Sequence, residues 1–353
     1  MGMPCSYDIR QTWENNCENG PKFASAPPVV PVTPLKSFLG LPVRSRIGIA
    51  AGLLLNRRWI LPYAARGFDI LTYKTVRSTP RPGYPLPNWV FVEDPTPPDG
   101  PVFVTDHPPA DPTHLSSSVC FGMPSIAPEL WREDVRRTRA GLGSGQVLIV
   151  SVVATPGESA SVDDLAEDFG RCAGWAAEAG AQVIEANLSC PNVCSAEGTL
   201  YQDAATSQQV VKRIREAIGR TPLLLKIGRF PAPEPMRDFL RAIAALADGV
   251  TLVNCISRPV LRHDGQPAFG PQFRTAGVLG RTIHQPSVDA VQLARDCLRS
   301  DRLNLQIVAV GGVSTVGDFA DFFAAGADAV LCGSSPMYLP NLAIDAKLAH
   351  PEW

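Results

Sequence analysis

The segment VIEANLSCPNVC, residues 183–194, changes character halfway along its length. Its first residues, Val183 and Ile184, are apolar and predict a buried strand. Amide, hydroxyl and thiol side chains then follow, at Asn187, Ser189, Cys190 and Asn192. Polar side chains directly after a buried strand are typical of folds that build their site at the carboxyl ends of strands.

Apolar runs of the same kind recur along the chain, and helical patterns lie between them. The predicted strands are residues 47–51, 70–75, 147–153, 182–188, 223–228, 251–255, 306–312 and 329–333. Residues 163–179, 205–218, 287–298 and 315–325 repeat their apolar residues with the period of a helix. Strands that are apolar on both faces and alternate with helices predict a parallel sheet buried on both sides. Eight such strands predict an α/β fold, the (β/α)8 TIM barrel.

Two regions fall outside this alternation. Residues 1–40 are irregular and rich in proline, and we expect them to form an N-terminal arm on the barrel domain, residues 41–353. Residues 78–128 form a long insertion after the second strand, rich in Pro, Gly and Ser. A loop that leaves the carboxyl end of a barrel strand lies on the catalytic face. The insertion is therefore predicted to be a lid or pocket wall, with a plain surface excursion as the alternative.

The composition restricts the classes of partner. The chain has 353 residues, 45% of them hydrophobic and 19% charged, with a net charge of −2. This balance offers no basic surface to nucleic acid, and no apolar run is long enough to span a membrane. The first residues lack the apolar segment of a secretory signal. Nine cysteines, without a CxxC pair or a zinc ligand set, favour reduced thiols, no bound metal and a cytoplasmic location.

Four of the predicted strands end in side chains that can bind or react. These are Lys74 and Thr75 after the second strand, Asn187 after the fourth, Lys226 after the fifth, and Asn254 and Cys255 after the sixth. Because the carboxyl ends of barrel strands meet at one mouth, we expect these side chains to converge. A single buried Asn is more often structural, but a set of such residues at one level predicts a site.

The last two strands are each followed by glycine and small hydroxyl residues. The segments are VGGVST, residues 310–315, and CGSSPM, residues 332–337. Backbone N–H groups in such loops can hold a phosphate, helped by the N-terminus of the following helix. The loops after strands 7 and 8 are the usual phosphate site of this barrel, so the pair predicts a phosphate-bearing cofactor or substrate.

Taken together, these motifs resemble those of the dihydroorotate dehydrogenases, flavin enzymes of pyrimidine synthesis. The similar segments are YKTVRSTPRPGYPLPN (73–88), NLSCPN (187–192), LLLKIG (223–228), AGVLGRTIHQPSVD (276–289) and AVGGVSTVGDFADFFAAGADAVLCGSS (309–335). The resemblance runs from about residue 38 to 338 in the same order. A Cys at position 190, rather than a Ser, resembles the class 1 branch, which lacks an N-terminal membrane helix.

For the cofactor, the resemblance implies FMN at the carboxyl-terminal mouth of the barrel. The matching phosphate positions are Gly311, Gly312, Gly333 and Ser334, with Gly277 and Gly280 nearby. The matching flavin-edge positions are Ala51, Gly52, Lys74 and Thr75, and Asn187 is also expected to bind the cofactor. Lys226 matches the lysine that faces the pyrimidine end of the flavin. A cation suits that place because the reduced flavin carries negative charge there.

For the substrate, the resemblance implies ring-binding amides and a thiol base. Asn187, Asn192 and Asn254 match the amides, Lys74 matches the lysine that faces the substrate carboxylate, and Cys190 matches the general base. Oxidation of a dihydropyrimidine removes a proton from C5 and a hydride from C6, and the hydride goes to flavin N5. A thiol suits the proton transfer because its pKa, about 8.5 when free, can be tuned by its surroundings.

Two substrate positions depart from the family pattern. Val119 stands where the family has a substrate-binding Asn, and Cys255 stands where it has Ser or Thr. A valine cannot hydrogen-bond a ring edge, and a thiol is a poor donor. These changes predict a substrate less polar than dihydroorotate on the Val119 side.

Three hypotheses about function follow. The first is a class 1-like, FMN-dependent dihydroorotate dehydrogenase, which the resemblance favours. The second is a member of the same family acting on another cyclic amide or an enone-type compound. The third is a non-redox barrel that binds a phosphorylated metabolite. In each case we expect a small-molecule substrate and a homodimer. For the two redox hypotheses the electron acceptor stays open, and the candidates are fumarate, NAD through an iron–sulfur partner, quinone and oxygen.

Overall fold

The computed structural model describes residues 5–93, 100–155, 157, 160–189 and 196–353. Cys190 and Asn192 therefore lie outside the described residues. The strands, in chain order, are Lys36–Phe38 (β1), Leu41–Val43 (β2), Ile47–Ile49 (β3), Ile70–Val76 (β4), Trp89–Phe91 (β5), Val102–Phe103 (β6), Ser116–Val119 (β7), Val147–Val152 (β8), Val183–Asn187 (β9), Leu223–Lys226 (β10), Gly249–Leu252 (β11), Ile256–Arg258 (β12), Val260–Leu261 (β13), Ala276–Gly280 (β14), Gln306–Val310 (β15) and Ala329–Cys332 (β16).

The α-helices follow the periodicity of the sequence. In chain order they are Trp13–Asn19 (α1), Arg57–Ala64 (α2), Pro128–Gly141 (α3), Val162–Glu178 (α4), Ala204–Ile218 (α5), Pro233–Ile243 (α6), His284–Asp301 (α7), Val316–Ala324 (α8) and Leu342–Ala349 (α9). Helix α4 begins at a capping box, in which the Ser161 hydroxyl accepts from the Asp164 backbone and the Asp164 carboxylate accepts from the Ser161 backbone. Among the described residues, no helix is both long and apolar enough to cross a bilayer.

Eight parallel strands close into a barrel, in the order β3-β4-β8-β9-β10-β11-β15-β16. The predicted (β/α)8 barrel is thereby confirmed. Side chains alternate across each strand, so on β9 Val183, Glu185 and Asn187 share the inward face. The intervening Ile184 and Ala186 belong to the large apolar cluster that the barrel forms with its helices.

A hairpin closes the amino-terminal end of the barrel. Strands β1 and β2 pair antiparallel, and their buried residues Phe38 and Val43 pack in one cluster with the inward side chains Val147 and Val183. The floor of the barrel interior is therefore apolar.

A second sheet stands over that mouth. Strands β12, β14, β7 and β5 form it in this order, with antiparallel pairing throughout. Strands β5 and β7 come from the insertion of residues 78–128, which the sequence suggested would be loop-like. Strands β12 and β14 come from the segment after β11, which the sequence did not mark as an insertion.

The N-terminal segment packs against this second sheet. Residues 5–40 include the short helix α1 and strand β1. The Tyr7 ring lies 5.2 Å from the Trp89 ring and 6.2 Å from the Phe121 ring, between their centroids. Tyr7 is buried, and its ring also contacts Trp59 of helix α2. The segment thus supports the wall of the mouth from behind.

Candidate active site

A deep cleft opens at the carboxyl-terminal mouth, between the barrel strands and the second sheet. Its empty space is about 1240 Å³ including its opening. Clefts at the carboxyl-terminal face are the usual ligand sites of an α/β barrel. This cleft is therefore the candidate active site.

Most of the residues proposed from the sequence line this cleft. They are Ala51, Gly52, Lys74, Thr75, Val119, Asn187, Lys226, Asn254, Cys255, Gly280, Gly311, Gly312, Gly333 and Ser334. Gly277 is not among the lining residues: it lies in the middle of the second sheet, where its carbonyl accepts a hydrogen bond from the Ser118 hydroxyl at 3.0 Å. Cys190 and Asn192 lie outside the described residues.

One end of the cleft is a cradle of backbone N–H groups. The N–H groups of Gly312, Gly333 and Ser334 have no hydrogen-bond acceptor within the described part of the chain. Gly312 adopts a φ of +67°, and a Cβ added there would lie 2.6 Å from the Gly280 carbonyl oxygen. Only glycine fits this close approach of two backbones. Backbone N–H groups that lack an acceptor, next to small residues, are typical of phosphate-binding sites.

Arg281 and Asp318 stand beside this cradle, and the sequence analysis did not single them out. Arg281 lines the cleft, and its Nη1 donates to Asp318 Oδ1 at 2.7 Å. The other carboxylate oxygen of Asp318 accepts from the backbone N–H groups of Ser314 and Thr315, at 2.8 Å each. Asp318 is the third residue of α8, so the capping pattern T-x-x-D was the signal in the sequence that could have revealed it.

His284 connects this network to the glycine loop. Its Nδ1 lies 3.2 Å from the Gly311 carbonyl oxygen, and its Nε2 lies 3.0 Å from Asp321 Oδ2. The ligand atoms of His284, Asp318 and Asp321 lie within 4.8 Å of one another. Because Asp318 already accepts from Arg281 and two backbone N–H groups, we interpret the group as a support for the glycine loop and not as a metal site.

The Asp318 carboxyl is adapted to this role. Burial alone would raise its pKa, but the backbone N–H of Ser314, the Arg281 guanidinium and His284 together hold the pKa below its usual range. The carboxylate therefore stays ionised and keeps all of its hydrogen bonds at neutral pH.

Two lysines lie in the middle of the cleft. Lys226 ends β10 and is buried, with 4% of its surface exposed. Lys74, on β4, is half-buried, and its ammonium lies 5.0 Å from the centre of the Phe121 ring. Both line the cleft. Lys226 follows the inward alternation of β10, whereas Lys74 lies where the register of β4 against β8 shifts, so that the neighbouring Thr75 lines the cleft as well. The middle of the cleft is consequently positive and suits an anionic or electron-rich ligand.

An amide pair lies next to the lysines. Asn254 Nδ2 donates to Asn187 Oδ1 at 3.2 Å and also to the Ser189 carbonyl oxygen. Within the described residues, the Met123 sulfur, at 3.5 Å, is the one acceptor of Asn187 Nδ2. A thioether is a weak acceptor, so the Asn187 amide can exchange this contact for a ligand carbonyl at little cost.

The far wall of the cleft is apolar, and the sequence analysis identified only part of it. The second sheet contributes Trp89, Phe91, Val119 and Leu279, and the loop after β7 contributes Phe121 and Met123. The aromatic members lie in or beside short strands within a proline-rich insertion, where neither helical nor strand periodicity was visible. Only Val119 could be selected in advance, from its place in the motif comparison.

Among the described residues, Cys255 is the cysteine that lines the cleft. Burial raises the pKa of this thiol, although the positive charges of Lys226 and Lys74 oppose the increase. The thiol is therefore protonated at neutral pH and can donate only a weak hydrogen bond.

The fold and the cleft together define a class: an α/β barrel with a cradle of backbone N–H groups, two lysines and paired amides at its carboxyl-terminal mouth. Comparison with known proteins agrees with this class. The sequence model of the family "Dihydroorotate dehydrogenase" matches residues 134–346. A "Dihydroorotate dehydrogenase" of Dictyostelium discoideum is 31% identical over 96% of this chain and 95% of its own length.

More distant relatives agree. A "Putative dihydroorotate dehydrogenase A (fumarate)" of Aeropyrum pernix is 27% identical over 85% of both chains. A "Dihydroorotate dehydrogenase B (NAD(+)), catalytic subunit" of Desulforudis audaxviator is 28% identical over 87% of this chain and 88% of its own. A crystal structure of DHODH in complex with ferulenol, from Eimeria tenella, shares the fold with a TM-score of 0.69 and 20% identity, covering 89% of this chain and 82% of that one.

The chain belongs to the dihydroorotate dehydrogenase family. Membership indicates an oxidoreductase, and the oxidation of dihydroorotate is the reaction of this family.

We expect Asp318→Asn to lower the free energy of unfolding by about 1.5–3 kcal/mol at pH 7, because hydrogen bonds to a charged carboxylate are lost. The folded-state pKa of Asp318 lies below its unfolded value of about 3.9. Its stabilisation is therefore present above about pH 4 and disappears as the pH falls through the folded-state pKa. Denaturant unfolding at pH 7 and pH 3 should show the difference between the two proteins shrinking in acid. The exposed Asp321→Asn is the control, and an equal loss in both variants would contradict the assignment.

Proposed function

We propose that this protein is an FMN-dependent oxidoreductase that oxidises dihydroorotate, or a closely related dihydropyrimidine, with Cys190 as the base. The observation that carries the proposal is that three kinds of group line one cleft. They are backbone N–H groups of the loops after β15 and β16, two lysines, and an amide pair whose Asn187 is in register with Lys226. This set suits a ligand that carries a phosphate and an electron-accepting ring, next to a polar substrate ring.

The described residues fit FMN. Gly312, Gly333 and Ser334 would hold its phosphate through their free N–H groups, and Arg281 would add positive charge beside them. Lys226 would lie beside the flavin ring, where a cation favours the reduced state. When bound, FMN supplies the acceptor for the hydride.

The protein's own residues would bind the substrate and move its proton. Asn187 and Asn254 would bind the polar edge of the ring, because an amide offers both a donor and an acceptor. Lys74 would pair with a carboxylate or carbonyl group of the substrate. Cys190 follows Ser189, whose hydroxyl donates to the Lys226 carbonyl oxygen at 3.3 Å at the end of β10. The Cys255 thiol is a poor candidate for the base, because burial raises its pKa.

A second candidate is a substrate that is less polar than dihydroorotate on one side. Val119 and Cys255 replace polar groups of the family pattern, and Val119 lies in the same wall as Phe121 and Met123. A buried polar group without a partner costs about 1–3 kcal/mol, so an apolar wall disfavours a polar ring edge against it. The names of the relatives include both fumarate and NAD(+), and we propose no acceptor from them.

The purified protein should be yellow, and its colour should bleach when dihydroorotate is added without oxygen. Fast, saturable bleaching at micromolar dihydroorotate would support the first candidate. Bleaching by dithionite and by less polar dihydropyrimidines, but not by dihydroorotate, would support the second. A protein that neither carries nor binds FMN would refute both and favour a non-redox barrel.

Gly333→Ala tests the phosphate cradle. A Cβ at Gly333 meets no atom within 4 Å, so the variant should fold normally while its methyl group enters the cleft. We expect FMN affinity to fall at least tenfold, which is about 1.4 kcal/mol, in a fluorescence titration of the apoprotein. Gly317→Ala is the matched control, since its Cβ would meet only Thr315 Oγ1, at 3.6 Å. Unchanged FMN affinity in Gly333→Ala would place the phosphate elsewhere.

Cys190→Ala tests the base. The variant should bind FMN normally but lose at least about a hundredfold in the rate of flavin reduction by substrate, the usual scale for loss of a general base. Stopped-flow reduction under anaerobic conditions measures this rate. Cys255→Ala is the comparison, with an expected loss of less than about tenfold because its thiol only contacts the ligand. A larger loss for Cys255→Ala than for Cys190→Ala would exchange the two roles.

A further inference from the structure

The barrel interior below the cleft contains few charged side chains. Most inward residues are apolar, as in the case of Ile70, Val147 and Val308. The inward faces of the eight strands carry three ionisable side chains: Lys74, Glu185 and Lys226. Glu185 is the only carboxylate of the three, and neither the cofactor nor the substrate assignment uses it.

Glu185 is fully buried, with 0% of its surface exposed. It lies on β9 opposite Ser151 of β8 and Leu224 of β10. Within the described part of the chain, neither carboxylate oxygen makes a hydrogen bond. Among the described residues it is also the only buried glutamate. Carboxylates are almost never fully buried unless another group compensates their charge.

Lys226 lies on the adjacent strand, two residues beyond the partner of Glu185. Lys226 is in register with Asn187 on one side and with Thr251 on the other. The backbones of Glu185 and Lys226 are thus separated by two residues of strand rise, about 7 Å. Both side chains are long and point into the same interior. The Thr251 hydroxyl, also buried and without a partner in the described chain, faces the same space.

We propose that Glu185 is the counter-ion of Lys226. A lone ammonium and a lone carboxylate are each costly in an interior of low dielectric constant, and opposite charges on adjacent strands offset much of that cost. The other charged groups nearby are already engaged. Lys74 lies over the Phe121 ring near the mouth, and the buried Asp69, just before β4, is 2.7 Å from Lys347 at the far end of the barrel.

The inference rests on the proposed function in one respect, namely that Lys226 lies beside FMN. Glu185 would then be a positioning residue that acts through Lys226. Its negative charge would hold the ammonium in place and would reduce the net positive charge that the reduced flavin experiences. Removal of this charge should make the flavin easier to reduce.

The first experiment measures the reduction potential of bound FMN in Glu185→Gln. We expect the equilibrium for two-electron reduction to shift at least tenfold toward the reduced form, which is about +30 mV. Asp69→Asn is the matched control, because it removes a buried carboxylate from a lysine pair far from the cleft. Its potential should not change. An unchanged potential in Glu185→Gln would overturn the proposal, because a glutamic acid that is already neutral behaves like glutamine.

Two further measurements test the Glu185–Lys226 pair without FMN-loaded variants. Unfolding of the apoprotein should show coupling between Glu185→Gln and Lys226→Met of at least tenfold in the equilibrium constant, with the double variant more stable than the sum of the single losses implies.

Infrared spectra of the wild-type protein labelled with 13C-glutamate should lack a buried carboxylic-acid band. Additive losses or such a band would overturn the ion pair. A protein without FMN would instead refute the proposed function and leave both measurements valid.

Discussion

Closure of the eight parallel strands by backbone hydrogen bonds is the constraint on which the rest of the structure depends. Closure removes sheet edges, and the β1–β2 hairpin packs its apolar residues into the amino-terminal end of the barrel. It also fixes which side chains face inward. Lys74, Asn187 and Lys226 come from distant parts of the sequence, yet all three line the same cleft. Strand phase places Asn187 and Lys226, and the register shift in β4 brings both Lys74 and Thr75 to the cleft. The polar site therefore depends on strand phase and on this irregularity of β4.

The second sheet adds what closure cannot provide. Pairing of β7 with β14 joins the insertion after β4 to the segment after β11. The resulting sheet covers the mouth and is held by both segments. The N-terminal segment supports that wall through Tyr7. The cleft combines a polar floor from the barrel with an apolar wall from the sheet. This division fits a planar ring that lies between the two.

The barrel and most of the polar site could be predicted because both rest on local patterns. Lys226, for example, follows an apolar run and precedes a glycine, and this pattern identifies a strand end without knowledge of its neighbours. The second sheet could not be predicted in this way. Its strands are three to five residues long, and the central pairing, of β7 with β14, joins residues more than 150 positions apart, such as Val119 and Gly277. Short strands of this kind are stabilised by their partners and not by their own sequence.

The sequence by itself determined which barrel strands carry polar residues at their carboxyl ends. It also determined the glycine loops after the last two barrel strands and the family to which the chain is similar. These features depend on residue type and spacing, which any single chain displays. Only the tertiary structure decided that Arg281 and Asp318 flank the cradle, that Gly277 lies inside a strand, and that Glu185 and Lys226 are buried on adjacent strands. The physical reason is that charge compensation and hydrogen-bond saturation depend on distances through space, and a linear pattern does not contain those distances.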